Sequence, residues 1–375
     1  MRLIVVGAGI VGASCAYAAS RAGAQVVLTD AAIAGRATAA GAGIICPWSS
    51  HVDDTAWYGF ACAAARRYPA LAAELAGAGL GDGSYRQVGA LIVAGDEDEA
   101  GRECERVLAM RAAEPEIGEV RVLSAGQARA LFPPLRPGAP AAYIGGAARV
   151  DGRLITSALI EAARRRGARF LAGRAALTRR GGRVVGVEVD GQPVDGDVVV
   201  VAAGAWTAAL LAPLGVTVAV RPQRGQIVHL SLAPADTSRW PVILPAGSGH
   251  YLLAFDDSRV VVGATRETGS GFDVRITAGG LHEVLARALA VAPGLAAGTV
   301  QDTRVGLRPV GPDVRPLLGP VRGVAGLVVA TGLGASGLTT GPLAGMLAAQ
   351  VALGVTPDLD LAPFDPLRSR PSPAG

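Results

Sequence analysis

Three glycines near the N-terminus have the spacing of a turn that binds a dinucleotide. Gly7, Gly9 and Gly12 form the pattern G-x-G-x-x-G after an apolar β-branched run, and Asp30 lies 18 residues beyond Gly12. The first glycine permits a tight turn, the second lets backbone amides approach a pyrophosphate, and the third lets a helix pack on a strand. An acid at the position of Asp30 accepts hydrogen bonds from the adenosine ribose and disfavours a 2′-phosphate. The spacing therefore predicts a dinucleotide site for which NADP is the poorest candidate.

The basic and thiol side chains exclude several other chemistries. All 35 basic residues are arginines, which removes a Schiff-base lysine, a phosphate-loop lysine and a lysine general base. Apart from Arg164, Arg165 and Arg166 at a helix end, the arginines are scattered, so no nucleic-acid partner is expected. The four cysteines form no C-x-x-C pair, and the four histidines lie in no metal-ligand or Ser/His/Asp setting. We therefore expect no bound metal, no disulfide and a reducing compartment.

The elements that position the glycines form a β-α-β unit within the first 30 residues. In residues 197–203, Asp197 is followed by an apolar run without alternation, which predicts a strand buried on both faces. Residues 216–262 contain several alternating strands, typical of an antiparallel sheet, and helices are predicted at 278–289 and 341–353. A chain of 375 residues is long enough for two or three domains. The pattern predicts a mixed α/β (α+β) fold with β-rich insertions.

The N-terminal run imitates a secretory signal peptide, since Arg2 precedes apolar residues 3–19 and the sequence Ala16-Tyr17-Ala18. The glycine spacing inside the run explains it better, so the cytoplasm is the expected location. Glycine and proline punctuate the other apolar stretches, and no membrane span is expected. Peripheral association with a membrane and the oligomeric state stay open.

Five further segments carry a resemblance to a known family. They are residues 35–45 (GRATAAGAGII), 199–207 (VVVAAGAWT), 260–265 (VVVGAT), 306–309 (GLRP) and 330–339 (ATGLGASGLT). With these segments and the N-terminal turn, the chain resembles the D-amino-acid oxidase family of FAD-dependent oxidoreductases, which includes glycine oxidase, sarcosine oxidase and D-amino-acid dehydrogenases. The resemblance runs nearly end to end and is weakest between residues 77 and 142.

The resemblance implies a Rossmann-type FAD-binding domain interleaved with a substrate-binding domain built on a mainly antiparallel sheet. The implied division assigns residues 1–80, 143–214 and 316–365 to the FAD-binding domain, 81–142 and 215–315 to the substrate-binding domain, and 366–375 to a tail.

FAD is the cofactor that the resemblance implies, and we expect it to be held without a covalent bond. Covalent attachment in the sarcosine-oxidase branch uses a cysteine late in the chain, whereas no cysteine follows Cys104 here. Cys46, beside the expected flavin loop, is interpreted as a buried structural thiol rather than a redox partner. The residues expected to contact FAD are Gly7, Gly9, Ile10, Val11, Gly12, Asp30, Ala31, Arg36, Ala37, Thr38, Ala42, Gly43, Ile44, Ala176, Ala203, Gly204, Trp206, Gly332, Leu333, Gly334, Ala335, Ser336, Gly337, Leu338 and Thr339.

The family's chemistry implies oxidation of a small amino acid that is D-configured or glycine-like. Hydride would leave the α-carbon for flavin N5, and the resulting imine would hydrolyse to a 2-oxo acid and ammonia. Arg308 matches the arginine that holds the substrate carboxylate, for which a planar fork suits two charge-assisted hydrogen bonds. Tyr251 matches a tyrosine that reaches the same carboxylate, with a core tyrosine as the alternative. Arg266 and Gly334 are further pocket candidates, while His250 is interpreted as an ordinary strand residue.

Three alternatives stay open at this level. A secondary amine such as sarcosine or a proline derivative would use the same motifs, because pocket size separates these substrates. The electron acceptor would be oxygen or a quinone or other molecule. The sarcosine-oxidase branch activates oxygen with a lysine that this chain lacks, which favours a dehydrogenase. Finally, the chain would also suit an FAD-binding subunit of a larger dehydrogenase complex.

Overall fold

The computed structural model describes residues 1–368 as a mixed α/β fold with two large sheets, the fold class that the sequence predicts. The α-helices are α1 Ile10–Arg21, α2 Thr55–Gly77, α3 Glu97–Met110, α4 Ala125–Leu131, α5 Gly152–Arg165, α6 Thr207–Leu211, α7 Ala278–Val291 and α8 Gly337–Ala352. The strands are β1 Arg2–Val6, β2 Gln25–Asp30, β3 Ile44–Ile45, β4 Arg86–Gln87, β5 Ala90–Val93, β6 Val120–Leu123, β7 Ala141–Ile144, β8 Ala148–Arg149, β9 Arg169–Ala172, β10 Ala175–Arg180, β11 Arg183–Val189, β12 Gln192–Asp195, β13 Val198–Val201, β14 Arg221–Ser231, β15 Val242–Pro245, β16 Tyr251–Ala254, β17 Arg259–Gly263, β18 Glu267–Thr268, β19 Thr299–Val310, β20 Leu317–Pro320 and β21 Leu327–Thr331.

The first sheet is mainly parallel and has the strand order β20-β21-β13-β1-β2-β9. β1 lies between β2 and β13, which places Val5 beside Leu28 and Val200. Val5 packs in the same core as α1, α5 and α8, while Ile4 packs on the opposite face with β11. Both faces of β1 are therefore covered, which explains why its sequence is apolar without alternation.

The second sheet is mainly antiparallel and has the order β18-β14-β17-β16-β15-β5-β7-β6, with β19 paired along β14. Its strands come from two separate stretches of the chain, residues 90–144 and residues 221–310. The long pair β14 and β19 carries residues of the cavity described below. We propose two interleaved domains on this distribution of strands, with the boundary near residue 142 falling inside β7.

The last helix begins earlier than the sequence predicts, at Gly337 rather than residue 341. Pro342 lies inside it and has no amide hydrogen to donate to the carbonyl of Leu338. That carbonyl instead accepts a hydrogen bond from the buried hydroxyl of Tyr68 in α2. The tyrosine thus satisfies the orphaned carbonyl, and residues 337–340, which precede the predicted helix, become the first turn of α8.

Gly89, whose φ of +75° is left-handed, lies between β4 and β5. A β-carbon on Gly89 would lie 2.6 Å from the ring of Tyr143 on the neighbouring strand.

Among the helices of residues 1–368, none combines the length and apolarity needed to span a bilayer.

Candidate active site

One large cavity is lined by the loops at the carboxyl ends of β1, β2 and β13 and by residues of the antiparallel sheet. Its volume is about 1200 Å³. This exceeds the roughly 300–1,000 Å³ of ordinary small-molecule sites. A cavity of this size has room for an extended cofactor and a small substrate together.

The glycine turn between β1 and α1 forms one wall of the cavity. Gly7 has φ +104°, and a β-carbon there would lie 2.4 Å from the carbonyl oxygen of Ala202. A β-carbon on Gly12 would lie 1.7 Å from the carbonyl oxygen of Gly7. Gly9 precedes α1 and supplies no side-chain cap, so the positive end of the helix dipole faces the cavity. The turn is therefore built to receive an anion such as a pyrophosphate.

Asp30 lies at the end of β2 and orders the loop around it. Its carboxylate accepts hydrogen bonds from the backbone amides of Ala8 and Ala32, each at 2.7 Å, and forms an ion pair with Arg36 at 3.4 Å. A carboxylate has about four lone-pair positions, so these contacts leave capacity for a ribose hydroxyl. The side chain of Thr38 accepts from the amide of Ile10 at 3.1 Å and ties the following loop to α1.

Arg308 lies on β19 and borders the other end of the cavity. Its Nη1 donates to the carbonyl oxygen of Thr265 at 2.9 Å and to Oε1 of Gln223 at 3.5 Å. Burial lowers the pKa of its guanidinium, and within residues 1–368 it forms no ion pair. A β-carbon on Gly225 would lie 2.6 Å from the guanidinium, so the glycine makes the space in which the group lies flat.

Tyr251 begins β16 and borders the same end of the cavity. Its strand partner is Gly263 of β17, where a β-carbon would lie 2.9 Å from the tyrosine hydroxyl. Burial raises the pKa of Tyr251, although the charges of Arg308 and Arg266 oppose the shift. The hydroxyl therefore stays protonated at neutral pH and can donate a hydrogen bond.

Two further groups lie beside Tyr251. Arg266 follows β17, borders the cavity and is exposed. His250 contacts Glu283 through Nε2 at 3.4 Å, while its buried Nδ1 has no partner in the described chain. Burial lowers the pKa of His250, so the imidazole is neutral at neutral pH. The substrate end therefore holds two arginines, a protonated tyrosine and a neutral histidine.

Comparison with known protein families identifies the family of this chain. A sequence model of the DAO family, described as FAD dependent oxidoreductase, matches residues 2–351. The chain belongs to this family of FAD-dependent oxidoreductases.

Individual relatives extend along nearly the whole chain. It is 46% identical over 364 residues to the uncharacterized oxidoreductase YurR of Bacillus subtilis, covering 97% of this chain and 98% of that protein. It is 31% identical over 373 residues to the glycine oxidase of Pseudomonas aeruginosa, covering 97% and 98%. The crystal structure of iminodiacetate oxidase from Chelativorans sp. BNC1 is similar at a TM-score of 0.94 and 48% identity, covering 97% of this chain and 99% of the other.

The lining of the cavity fits FAD, because the glycine turn before α1 suits a pyrophosphate and Asp30 suits a ribose hydroxyl. The predicted contact residues brought together on its wall are Gly7, Gly9, Ile10, Val11, Asp30, Ala31, Arg36, Ala37, Thr38, Ala42, Gly43, Ile44, Ala176, Ala203, Gly204, Trp206, Leu333, Gly334, Ala335, Ser336, Gly337, Leu338 and Thr339, together with Arg308, Tyr251 and Arg266. This placement makes them candidates for holding the cofactor and substrate.

Gly12 and Gly332, which are also expected to contact the cofactor, are not among the residues that line the cavity. Gly12 faces the carbonyl of Gly7, where it permits the close approach of α1 to the turn. Gly332 has φ +75°, and a β-carbon there would lie 3.0 Å from the side chain of Leu317 on β20. Both glycines act through backbone packing next to the cavity wall.

Sequence reasoning assigned no role in the site to two parts of the cavity wall. Residues 244–250, which lead into β16, line the substrate end. This segment contains the sequence Pro-Ala-Gly-Ser-Gly, which is typical of a turn. A turn signal does not show that the loop lines a site. His51 and Glu103 also line the cavity and lie 3.3 Å apart. Glu103 belongs to α3, within the stretch where the family resemblance is weakest, so no motif marked it.

Cys46 lines the cavity and is buried. Burial raises the pKa of its thiol to about 11, so the thiolate is scarce at neutral pH. This environment agrees with the interpretation of a structural thiol.

Proposed function

We propose that this FAD-dependent oxidoreductase oxidises the Cα–N bond of a small amine that carries a carboxylate. The observation that carries the proposal is the guanidinium of Arg308, which borders the cavity near Tyr251 and has no acidic partner in residues 1–368. A partly buried cation without a partner is unfavourable, and an anion that enters the cavity offsets this cost. A substrate carboxylate has the planar shape that suits the guanidinium fork.

The residues of the chain have few tasks in such a reaction. FAD, when bound, supplies the acceptor for the hydride that leaves the substrate. Arg308 and Tyr251 hold the carboxylate and so determine which hydrogen of Cα faces the cofactor. Loss of hydride from Cα and of a proton from nitrogen converts the amine to an imine, which water cleaves to a 2-oxo acid and an amine or ammonia. Oxygen or a quinone takes up the two electrons and completes the cycle.

Two kinds of substrate suit this proposal. The first is a small amino acid, glycine-like or D-configured, anchored by Arg308 alone. The second is a secondary amine, for which iminodiacetate is the specific candidate. The 48% identity to an iminodiacetate oxidase supports the second, as does Arg266, a further cation on the cavity wall that has no ion-pair partner in residues 1–368. Oxidation of iminodiacetate and hydrolysis of its imine would give glyoxylate and glycine.

Anaerobic bleaching of the flavin tests the proposal. The purified holoprotein is mixed without oxygen with glycine, D-alanine, D-proline, sarcosine and iminodiacetate in turn, and the loss of flavin absorbance is followed. Bleaching by one or more of these compounds supports the function and ranks the two substrate kinds. A yellow protein that none of them bleaches contradicts it and favours an FAD-binding subunit of a larger complex.

A further inference from the structure

The segment between β18 and α7, residues 269–277, is attached to the antiparallel sheet at two points. Nη1 of Arg224 on β14 donates to the carboxylate of Asp273 at 2.7 Å. The side-chain amide of Gln226, also on β14, forms hydrogen bonds with the hydroxyl and the backbone amide of Thr277, each at 2.9 Å. Arg224 and Gln226 are buried, so the segment is held against a rigid part of the sheet.

Phe272, next to the first attachment, packs on a residue of the cavity wall that comes from the parallel sheet. Its ring lies 5.6 Å from the ring of Trp206, centroid to centroid, with 30° between the two planes. Trp206 follows β13 and lines the cavity, whereas Phe272 is not among the lining residues. Aromatic pairs at this separation stabilise each other beyond the area that they bury. The phenyl ring therefore supports the indole that borders the cofactor space.

Val274, on the other side of Asp273, packs on the loop after β2. A β-carbon on Gly35 would lie 2.5 Å from Cγ1 of Val274, so the glycine permits this close approach. The carbonyl oxygen of Gly35 accepts a hydrogen bond from the amide of Leu307 on β19 at 2.8 Å. The next residue, Arg36, lines the cavity. Val274 thus covers a turn that β19 also holds and that leads directly into the cavity wall.

The exposure of Phe272 separates it from an ordinary core residue. Its side chain is 48% exposed, and single exposed apolar side chains are common on protein surfaces. Phe170 on β9 is such a case, with 41% exposure and no place in the cavity lining. Phe272 differs because it stacks on a residue of the cavity wall that belongs to the other sheet.

We propose that Phe272 and Val274 are positioning residues for FAD. They act through their two partners on the cavity side, so that release of FAD requires the segment to lift from both. The population of such a local opening is set by the free energy of the contacts that close it. Weakening either contact therefore raises the rate at which bound FAD leaves. This inference needs only FAD as the cofactor and is independent of the amine that is oxidised.

The rate of FAD release tests this inference without any substrate. Holoenzyme loaded with radiolabelled FAD is mixed with an excess of unlabelled FAD, and the label that stays on the protein is followed by gel filtration. We expect Phe272→Ala to speed release by about 3- to 10-fold, the effect of losing one aromatic pair, and Val274→Ala by about 2- to 5-fold. Phe272→Tyr keeps the ring and should stay within about 2-fold of the wild type.

The matched control is Phe170→Ala, which removes a phenylalanine of similar exposure and should change the release rate by less than about 2-fold. The melting temperature of each alanine variant in excess FAD should fall by no more than about 4 °C, because neither Phe272 nor Val274 belongs to the buried core. A changed release rate with a nearly unchanged melting temperature separates positioning of FAD from general support of the fold.

Release at the wild-type rate in both variants of the segment overturns the inference. An equal acceleration in Phe170→Ala also overturns it, because any exposed phenylalanine would then have the same effect. If Phe272→Ala fails to fold, the rate for Val274→Ala decides alone. An altered elution volume of Phe272→Ala with a normal release rate makes the residue a contact between copies of the chain and contradicts the proposal. A flavin that no amine bleaches contradicts the proposed function and not this inference, since release is measured without turnover.

Discussion

Arg308 donates a hydrogen bond to the backbone carbonyl of Thr265, and this contact fixes the guanidinium against the wall of the cavity. Only Nη1 is occupied by the described chain, through Thr265 and Gln223. The remaining donors of the guanidinium are available to a ligand. The contact also explains why the group is held flat above Gly225 instead of extending into solvent.

Removing the Arg308 charge should abolish tight substrate binding and leave FAD in place. We expect Arg308→Gln to lower kcat/KM for a carboxylated amine by about 100-fold or more, because two charge-assisted hydrogen bonds are lost. The flavin spectrum and FAD content should be those of the wild type. Steady-state kinetics test this with Arg221→Gln as the matched control, and unchanged kinetics in Arg308→Gln would remove the arginine from the site.

Filling the space beneath the Arg308 guanidinium should also weaken substrate binding, but less than removing the charge does. A β-carbon on Gly225 would lie 2.6 Å from the Arg308 guanidinium, so Gly225→Ala should push the group out of position. The expected result is a rise in KM of about 10-fold with little change in melting temperature, since the displaced atoms are the mobile end of a side chain. Gly101→Ala is the control, because nothing lies within 4 Å of a β-carbon there. A large loss of stability with a normal KM would contradict this.

Tyr251→Phe removes only the hydroxyl, which remains a donor at neutral pH because burial raises its pKa. We expect KM for the carboxylated substrate to rise by about 5- to 10-fold, the value of one hydrogen bond to a charged group. The folded stability should change little. A normal KM would mean that the tyrosine is a core residue and not part of the substrate site.

FAD should separate from the protein when it is denatured. The thiol near the cavity, Cys46, is held protonated by burial, which raises its pKa to about 11, and no cysteine follows Cys104. Acid precipitation should therefore leave a colourless pellet and a yellow supernatant. A pellet that stays yellow after repeated washing in urea would show covalent attachment and contradict the expectation.

His229 should give the stability a measurable pH dependence. Burial lowers its pKa to about 4, helped by Arg304 and Arg259 and opposed by Asp302. An unfolded histidine titrates near 6.5, so the unfolded state binds the proton first and the free energy of unfolding falls as pH drops from about 6.5 to about 4.

His229→Gln removes this group, and urea unfolding of both proteins measures its contribution. Between about pH 7 and about pH 4.5 the wild type should lose about 2–2.5 kcal/mol more than the variant. Above about pH 7 the histidine is neutral in both states and the two pH profiles should run parallel. Parallel profiles over the whole range would contradict the lowered pKa.

The sequence was sufficient for the features that depend on local pattern. The glycine turn, Asp30 and the unbroken apolar run of β13 predict a dinucleotide-binding parallel sheet, and the family confirms FAD as its cofactor. These features can be predicted from the sequence because each depends on residues that are close together in the chain. The start of α8 could not be predicted, because the carbonyl freed by Pro342 is satisfied by Tyr68, about 270 residues away.

The same limit applies to the substrate end of the cavity. Arg308 was found through its motif, and its neighbourhood on the cavity wall agrees with that prediction. Within residues 1–368 Arg266 has no ion-pair partner, and the sequence does not show this, because the adjacent acid Glu267 pairs with Arg224 on another strand. Pairings between distant strands decide which charges stay uncompensated, and no sequence spacing encodes them.

The most direct test compares two secondary amines that share the same carbon–nitrogen skeleton. Iminodiacetate and diethylamine differ in having two carboxylates or none, and each is mixed anaerobically with the holoenzyme in a stopped-flow spectrophotometer. If the arginines at the substrate end bind carboxylates, iminodiacetate bleaches the flavin with a rate that saturates with concentration, and diethylamine leaves the spectrum unchanged. Bleaching by diethylamine at a comparable rate would contradict the claim that a carboxylate anchors the substrate.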